Sequence, residues 1–160
     1  MPSEKEFLAQ IAANQGIIYK LVGLYADSDE DRKDLYQEIL LQAWRAYGSF
    51  RGEAKFSTWL YRVSLNTILT SQRKRQLTDY REELAETAAV EAAAPHATEN
   101  ARLLRQAIRQ LPETDRAIIS LHLDGYTNPE ISEIMGITVN HVGVKLHRIK
   151  NHLITLLQPK

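Results

Sequence analysis

Residues 125–153 carry the pattern that most constrains how this chain can fold. Thr127 is followed three positions later by Glu130, which is the spacing of a capping box at the start of a helix. Gly136 then offers a left-handed helix end, and Thr138 can cap a second helix. The apolar residues of this second helix recur three and four positions apart: Val139, Val142, Leu146, Ile149 and Leu153. Two short helices around a glycine turn are the pattern of a helix-turn-helix.

The opposite face of the second predicted helix carries no negative charge. At about 100° per residue, this face holds Asn140, Val144, His147, Arg148 and Asn151, with His141, Lys145 and Lys150 on its flanks. From Gly136 onward the chain contains no Asp or Glu. Asparagine, arginine and an exposed valine suit base edges and a thymine methyl group, so the pattern favours DNA binding. An αα-hairpin whose polar face only meets water is the alternative.

Composition excludes several classes of protein. Lys+Arg and Asp+Glu are both 20, so any binding to nucleic acid must come from local basic patches. The absence of cysteine excludes disulfides and thiolate zinc sites and fits a reducing cytoplasm. The five histidines lack metal-ligand spacing and no phosphate-cradling glycine loop occurs, so we expect no enzyme, metal or cofactor. We predict neither a signal peptide nor a membrane span.

One predicted helix near the N-terminus has two distinct faces. Residues 3–25 show helical spacing that weakens at Gly16, and a further helix runs to about Tyr47. Opposite the core stripe of that further helix lies a charged face with a leucine at its centre: Asp34, Gln37, Glu38, Leu41 and Arg45. A solvated surface and a protein interface with a polar rim both fit this pattern.

Basic and aromatic residues are interleaved between Ala54 and Thr78. The basic residues are Lys55, Arg62, Arg73, Lys74 and Arg75, and no acid lies among them. We expect Tyr61, Arg62 and Asn66 to lie outside the core, whereas Trp59 fits a core anchor and an exposed ring equally well. Rings that stack on bases beside cations that meet phosphates are typical of binding to single-stranded nucleic acid.

Residues 77–100 separate two helical modules. Seven alanines fall between Ala85 and Ala97 among acidic residues, and Pro95 interrupts any helix. We predict an acidic linker here, joining a domain at 1–76 to a domain at 101–160. No strand periodicity occurs, so we predict an all-α fold: a helical bundle followed by a four-helix domain that contains the helix-turn-helix.

Both modules resemble the extracytoplasmic-function group of bacterial RNA polymerase sigma factors. The matching stretches of the first module, which look like region 2, are 34–38, 43–44, 50–52 and 56–63 with Asn66. Those of the second, which look like region 4, are 111–112, 125–127, 130–131, 135–137, Val142 and 146–148. A helix-turn-helix alone would be a weak signal, but both blocks in this order are specific.

The resemblance implies a promoter-specificity subunit that acts in the cytoplasm. The face of Asp34, Gln37, Glu38, Leu41 and Arg45 would dock on the clamp coiled coil of the polymerase β′ subunit. The β flap, promoter DNA and an anti-sigma factor are the other expected partners, and the linker would thread along the polymerase cleft. A stand-alone helix-turn-helix regulator, which would bind duplex DNA without polymerase, is the alternative function.

The resemblance also implies two sets of DNA contacts. The melted −10 strand would meet Phe50, Arg51, Lys55, Trp59, Tyr61, Arg62, Asn66 and Arg73. The −35 duplex would meet Thr138, Asn140, His141, Val144, Lys145, His147 and Arg148. Gly143 stands where the family often has Lys or Arg, Val144 where Ser is usual, and Lys145 where Arg is frequent. We therefore expect a −35 preference that is this chain's own.

Overall fold

The computed structural model describes residues 3–78 and 98–158, which contain eight α-helices and no strand. The chain divides into two compact units, Met1–Glu91 (unit 1) and Ala92–Lys160 (unit 2). The predicted all-α fold is therefore confirmed. The predicted linker at 77–100 lies mostly outside the described residues, and the predicted domain limits stay predictions.

Unit 1 contains four helices: α1 Glu4–Ala13, α2 Gln15–Tyr25, α3 Asp29–Tyr47 and α4 Phe56–Thr78. The chain breaks between α1 and α2 at Asn14, whose side-chain amide donates to the Gln10 carbonyl at 2.8 Å. The predicted break near Gly16 is thus confirmed. Ser28 caps α3 by accepting the Asp31 N–H at 3.1 Å. The acidic residues of the first turn also stabilise the helix, because they lie at the positive end of its dipole.

The core of unit 1 forms where α2 and α3 pack against α4. Ile18, Leu21, Ile39, Leu60 and Ile68 are all fully buried there. Each such side chain contributes roughly 1.5–3 kcal/mol relative to leaving it in water. This packing fixes α3 and α4 side by side, with their outer faces turned to solvent.

Unit 2 also contains four helices: α5 Glu99–Arg109, α6 Glu113–Leu123, α7 Asn128–Met135 and α8 Val139–Leu157. The predicted capping box is confirmed, because the Thr127 N–H donates to Glu130 Oε1 at 2.9 Å and the Glu130 N–H donates to Thr127 Oγ1 at 3.3 Å. Gly136 ends α7 with a φ of 72°, a left-handed conformation that favours glycine. The helix-turn-helix is therefore α7 followed by α8.

The buried stripe of α8 is shorter than predicted. Val142, Leu146, Ile149 and Leu153 are buried as expected, but Val139 is 46% exposed. Val139 is the first residue of α8, immediately after the turn, where no earlier turn of the helix helps to cover its side chain. Among the described residues, no helix combines the length and the hydropathy that a membrane span requires.

Candidate nucleic-acid interfaces

The outer face of α8 presents the side chains that the periodicity assigns to it. Asn140, His141, His147 and Arg148 are exposed, and Val144 is 49% exposed. We call these five residues the reading face. No carboxylate lies on α8, so a DNA phosphate approaching this helix meets no like charge from the helix itself.

Local hydrogen bonds fix the start of α8 and one ring of its reading face. Thr138 caps the helix, since its Oγ1 accepts the His141 N–H at 3.1 Å. Nδ2 of Asn151 lies 3.3 Å from Nε2 of His147, one turn earlier on the same side of the helix. This contact orients the imidazole of a residue that is exposed to solvent.

Lys145 differs from the other residues predicted to contact duplex DNA. It is partly buried, and its Nζ lies 3.4 Å from Oδ1 of Asp115 in the first turn of α6. The remaining predicted residues of this set, from Thr138 to Arg148, are exposed. The structure therefore places Lys145 at the edge of the reading face, against α6.

Gly143 leaves open space beside the reading face. A Cβ built at this position would meet only Nδ2 of Asn128, at 3.9 Å, which is ordinary van der Waals contact. The glycine is therefore not required by packing. Its effect is to leave α8 without a side chain at this position.

In unit 1, six aromatic side chains form one connected group, which we call the ring cluster. Its members are Phe7, Trp44, Tyr47, Phe50, Phe56 and Trp59. Tyr47 is buried at the centre, with ring centroids 5.1 Å from Phe7, 6.1 Å from Phe50 and 6.0 Å from Trp59. Such ring pairs contribute about 0.5–1.5 kcal/mol beyond their buried area.

Trp59 combines the two alternatives that the sequence left open. Its ring packs at 5.3 Å from Phe50 and at 5.2 Å from Phe56, yet the residue is partly exposed. Phe50 is also partly exposed, and Arg51 and Lys55 on the same loop are exposed. The rings of Phe50 and Trp59 pack on the buried ring of Tyr47 and are flanked by cations, so they form a surface on which unpaired bases can stack.

One face of α4 continues this surface. Arg62, Asn66 and Arg73 are exposed, and at about 100° per residue they lie within a narrow arc that also includes Trp59. We call Phe50, Trp59 and these three residues the stacking face. The face combines two rings, two guanidinium groups and one amide.

The prediction that Tyr61 lies outside the core is wrong. Tyr61 is 1% exposed, and Lys20 Nζ from α2 lies 5.0 Å from its ring centroid. The physical reason is that α4 packs against both α2 and α3, which buries a wider arc of α4 than a single apolar stripe would. Burial also lowers the pKa of Lys20 to about 8.

The outer face of α3 carries the five residues predicted to bind the polymerase. Asp34, Gln37, Glu38, Leu41 and Arg45 are all exposed, Leu41 at 43%. Gln42 Nε2 donates to Glu38 Oε1 at 2.9 Å and holds that carboxylate along the helix. We call these five residues the docking face.

Trp44 is an exposed residue that the helical pattern did not single out. It is 43% exposed one turn after Leu41, while its ring packs 5.1 Å from Phe7. The sequence signal was present in the spacing, because Leu41, Trp44 and Arg45 share one side of α3. Trp44 therefore extends the apolar centre of the docking face toward the ring cluster.

A groove of about 670 Å³ lies between the docking face and the stacking face. Asp31, Asp34 and Glu38 line its α3 side, and Asn66 and Lys74 are among the residues on its α4 side. One wall is thus acidic and the other polar or basic. Within the described residues, no group of three or more His, Asp or Glu is placed to hold a metal ion.

Two family models match the chain, and they cover the two units in turn. Sigma-70 region 2 matches residues 10–78, and Sigma-70, region 4 matches residues 101–153. The chain is 31% identical over 172 residues to the ECF RNA polymerase sigma-E factor of Haemophilus influenzae, which covers 98% of this chain and 89% of that protein. It is 32% identical over 170 residues to the ECF RNA polymerase sigma-E factor of Escherichia coli strain K12, with 98% and 88% covered.

Solved structures share the fold at lower identity. The sigma factor RpoE from Bartonella quintana, solved in complex with the anti-sigma factor NepR, matches with a TM-score of 0.81 at 19% identity, over 96% of this chain and 97% of that one. CnrH in complex with the cytosolic domain of CnrY matches with a TM-score of 0.69 at 19% identity, over 97% and 89%.

Proposed function

The chain belongs to the ECF RNA polymerase sigma factors and directs promoter-dependent transcription initiation, and we propose that its described faces divide this work among themselves. The reading face of unit 2 contacts the −35 duplex. The stacking face of unit 1 holds the melted −10 strand. The docking face of α3 binds core polymerase.

The exposed, acid-free outer face of α8 is the observation that carries the assignment of the −35 element. A helix-turn-helix places its second helix in the major groove, with residues near the start of that helix on base edges. Asn140 and Val144 fit this position, and Arg148 can form two hydrogen bonds to a guanine. The reading face thus offers the chemistry that direct readout of duplex DNA requires.

Capture of the −10 strand fits the stacking face. A flipped or unpaired base costs a few kcal/mol to release from the duplex, and stacking on an aromatic ring returns roughly 1–3 kcal/mol per base. Phe50 and Trp59 offer partly exposed rings, and Arg62 and Arg73 lie on the same side of α4 to meet the phosphates. Tyr61 is buried, so we exclude it from the residues proposed to contact the −10 strand.

Polymerase binding fits the docking face. An apolar centre made by Leu41 and Trp44, surrounded by the charges of Asp34, Glu38 and Arg45, has the anatomy of a protein interface. We assign the β′ clamp coiled coil to this face and the β flap to unit 2. An anti-sigma factor is a further partner, by analogy with the complex of the Bartonella quintana protein. The chain works in the cytoplasm and contributes no catalytic residue.

Reconstitution with core RNA polymerase tests the proposal. Purified chain added to core should give transcripts from a defined set of promoters, and mapping their 5′ ends would give both promoter elements. No complex with core would contradict the proposal. Tight duplex binding that ignores core would favour the stand-alone regulator, so gel shifts with and without core distinguish the two functions.

Glu38→Lys tests the docking face within the same assay. Reversing this exposed charge should weaken binding to core while the helical content of the chain stays unchanged. Glu6→Lys is the matched control, because Glu6 is also exposed, on α1, and lies outside the docking face. Equal core affinity for the two variants would place the polymerase surface elsewhere.

A further inference from the structure

Asp115 meets the edge of the reading face through an ion pair with Lys145, and it lies on a different helix. Its Oδ1 is 3.4 Å from Lys145 Nζ, and the two side chains are 22% and 21% exposed. The pair joins the first turn of α6 to the edge of α8. Both residues are thus removed from full contact with water, although neither is completely buried.

Lys145 is distinguished from the neighbouring cations of α8 by this partner. Within the part of the chain that the structure describes, neither Arg148 nor Lys150 has a carboxylate within ion-pair distance. At about 100° per residue, Lys145 lies on the same flank of α8 as His141 and Arg148. Its four-carbon side chain can therefore turn either inward to Asp115 or outward to a phosphate beside the reading face.

We propose that Asp115 limits the affinity of unit 2 for DNA by holding Lys145 away from the phosphate backbone. This inference rests on the proposed −35 contact of α8. In the pair, the ammonium group is neutralised before DNA arrives, so binding must break the ion pair or forgo one phosphate contact.

The expected size of the effect follows from the exposure of the pair. A partly solvated ion pair shifts an equilibrium by about fivefold or less. Each phosphate that a protein neutralises steepens the dependence of log affinity on log salt concentration by about 0.9. Releasing Lys145 should therefore raise affinity about twofold to fivefold at low salt and steepen that slope by about one. A phosphate contact carries no sequence information, so the gain should be the same on any duplex.

Four variants of the full chain test the proposal: Asp115→Asn, Lys145→Gln, the double variant and Glu133→Gln. The last is the control for the loss of one negative charge, since Glu133 is exposed on α7. The probe is a random-sequence duplex of about 30 base pairs, titrated by fluorescence anisotropy over a range of salt concentrations. Asp115→Asn should bind about twofold to fivefold more tightly with the steeper slope. Lys145→Gln should keep the salt slope of the parent chain, because a lysine held by Asp115 neutralises no phosphate. The double variant should lose the gain and bind like Lys145→Gln.

Two results would overturn the proposal. If Asp115→Asn behaves like Glu133→Gln, only net charge matters. If Lys145→Gln alone lowers the salt slope by about one, Lys145 already neutralises a phosphate in the parent chain. The second test needs no change at the start of α6, so it remains decisive if Asp115→Asn unfolds in a thermal melt.

The same variants in holoenzyme separate this inference from the proposed function. On the promoters mapped with core polymerase, Asp115→Asn should increase promoter affinity by the same factor and leave base preference unchanged. If the parent chain initiates normally but Asp115→Asn gives no gain, the restraint by Asp115 is wrong and the sigma function stands. If the parent chain fails to bind core while Asp115→Asn still tightens random duplex, the proposed function is wrong and the restraint stands.

Discussion

The two units support the side chains proposed to contact DNA by different physical means. In unit 1, Phe50 and Trp59 rest on the ring cluster, where Tyr47 contacts four other rings. In unit 2, the reading face lies on a single helix, whose start is set by the capping residues Thr127 and Thr138 and by the turn at Gly136. One surface is therefore held by packing between distant residues, and the other by hydrogen bonds and backbone geometry within a short stretch.

This difference determines how substitutions should combine. Residues that share contacts couple by 0.5–3 kcal/mol, whereas separated residues add nearly independently. Changes within the ring cluster should thus affect stability and −10 capture together. Changes along α8 should instead act one base pair or one phosphate at a time.

The largest effect is expected at the centre of the ring cluster. Tyr47→Ala removes a buried ring from four ring contacts, and truncations of this size cost about 3–5 kcal/mol of unfolding free energy. Urea unfolding followed by far-ultraviolet circular dichroism measures the loss. Tyr47→Phe should retain most of the stability because it keeps the ring. Tyr19→Ala, at a side chain that is 59% exposed, should cost about 1 kcal/mol or less. Equal losses for Tyr47→Ala and Tyr19→Ala would show that the cluster does not support unit 1.

On α8 we expect the next largest effect, and it should be confined to recognition. Arg148→Ala should cost roughly 1–3 kcal/mol of promoter affinity and relax the preference at one −35 base pair, because it would remove the proposed pair of hydrogen bonds to one base. Holoenzyme binding to promoters with single −35 substitutions measures the change. Lys150→Ala, at an exposed cation on the other flank, should weaken all sequences alike. An unchanged preference for Arg148→Ala would mean that another face of α8 reads the bases.

The turn between α7 and α8 provides a backbone test of the same contrast. Gly136→Ala places a Cβ on a residue with a φ of 72° and should cost about 1–2 kcal/mol in the stability of unit 2. Thermal unfolding and −35 binding should both decline, while binding of single-stranded −10 DNA by unit 1 should not change. A simultaneous loss of −10 binding would show that the two units depend on each other.

The smallest effect should have the opposite sign. Gly143→Ala adds a methyl group where only Asn128 Nδ2 comes within 4 Å, at 3.9 Å, and alanine favours a helix interior over glycine. We expect a gain of about 0.4–1 kcal/mol in the stability of unit 2, measured by thermal or urea unfolding. A loss of stability would indicate that the space beside Asn128 is smaller than the structure shows.

Sequence patterns predicted unit 2 more completely than unit 1. Caps, the glycine turn and the spacing of Val142, Leu146 and Ile149 are local signals, and each is visible within a few residues. The pairing of Lys145 with Asp115 was not predictable, because these residues are 30 positions apart and meet only after α6 packs on α8. Val139 was missed because a helix start breaks the periodicity of burial.

In unit 1 the sequence suggested candidate binding residues but not which of their side chains face the solvent and which face the core. The wider burial of α4 depends on its two neighbouring helices, so Tyr61 could not be distinguished from Arg62 by composition alone. The ring cluster likewise joins α1, α3 and α4 across long stretches of sequence. Such sets are visible only in three dimensions, although the i, i+3 pairs Trp44–Tyr47 and Phe56–Trp59 were present in the sequence.

The placement of the tryptophans has an optical consequence. The chain has two of them, Trp44 beside the docking face and Trp59 in the stacking face, and both lie in unit 1. Under selective excitation of tryptophan, the emission of this chain therefore reports on unit 1, and unit 2 contributes no signal. A ligand that quenches this emission has touched or disturbed unit 1. A ligand that binds without quenching is expected on unit 2, so one unlabelled sample can indicate which unit the ligand occupies.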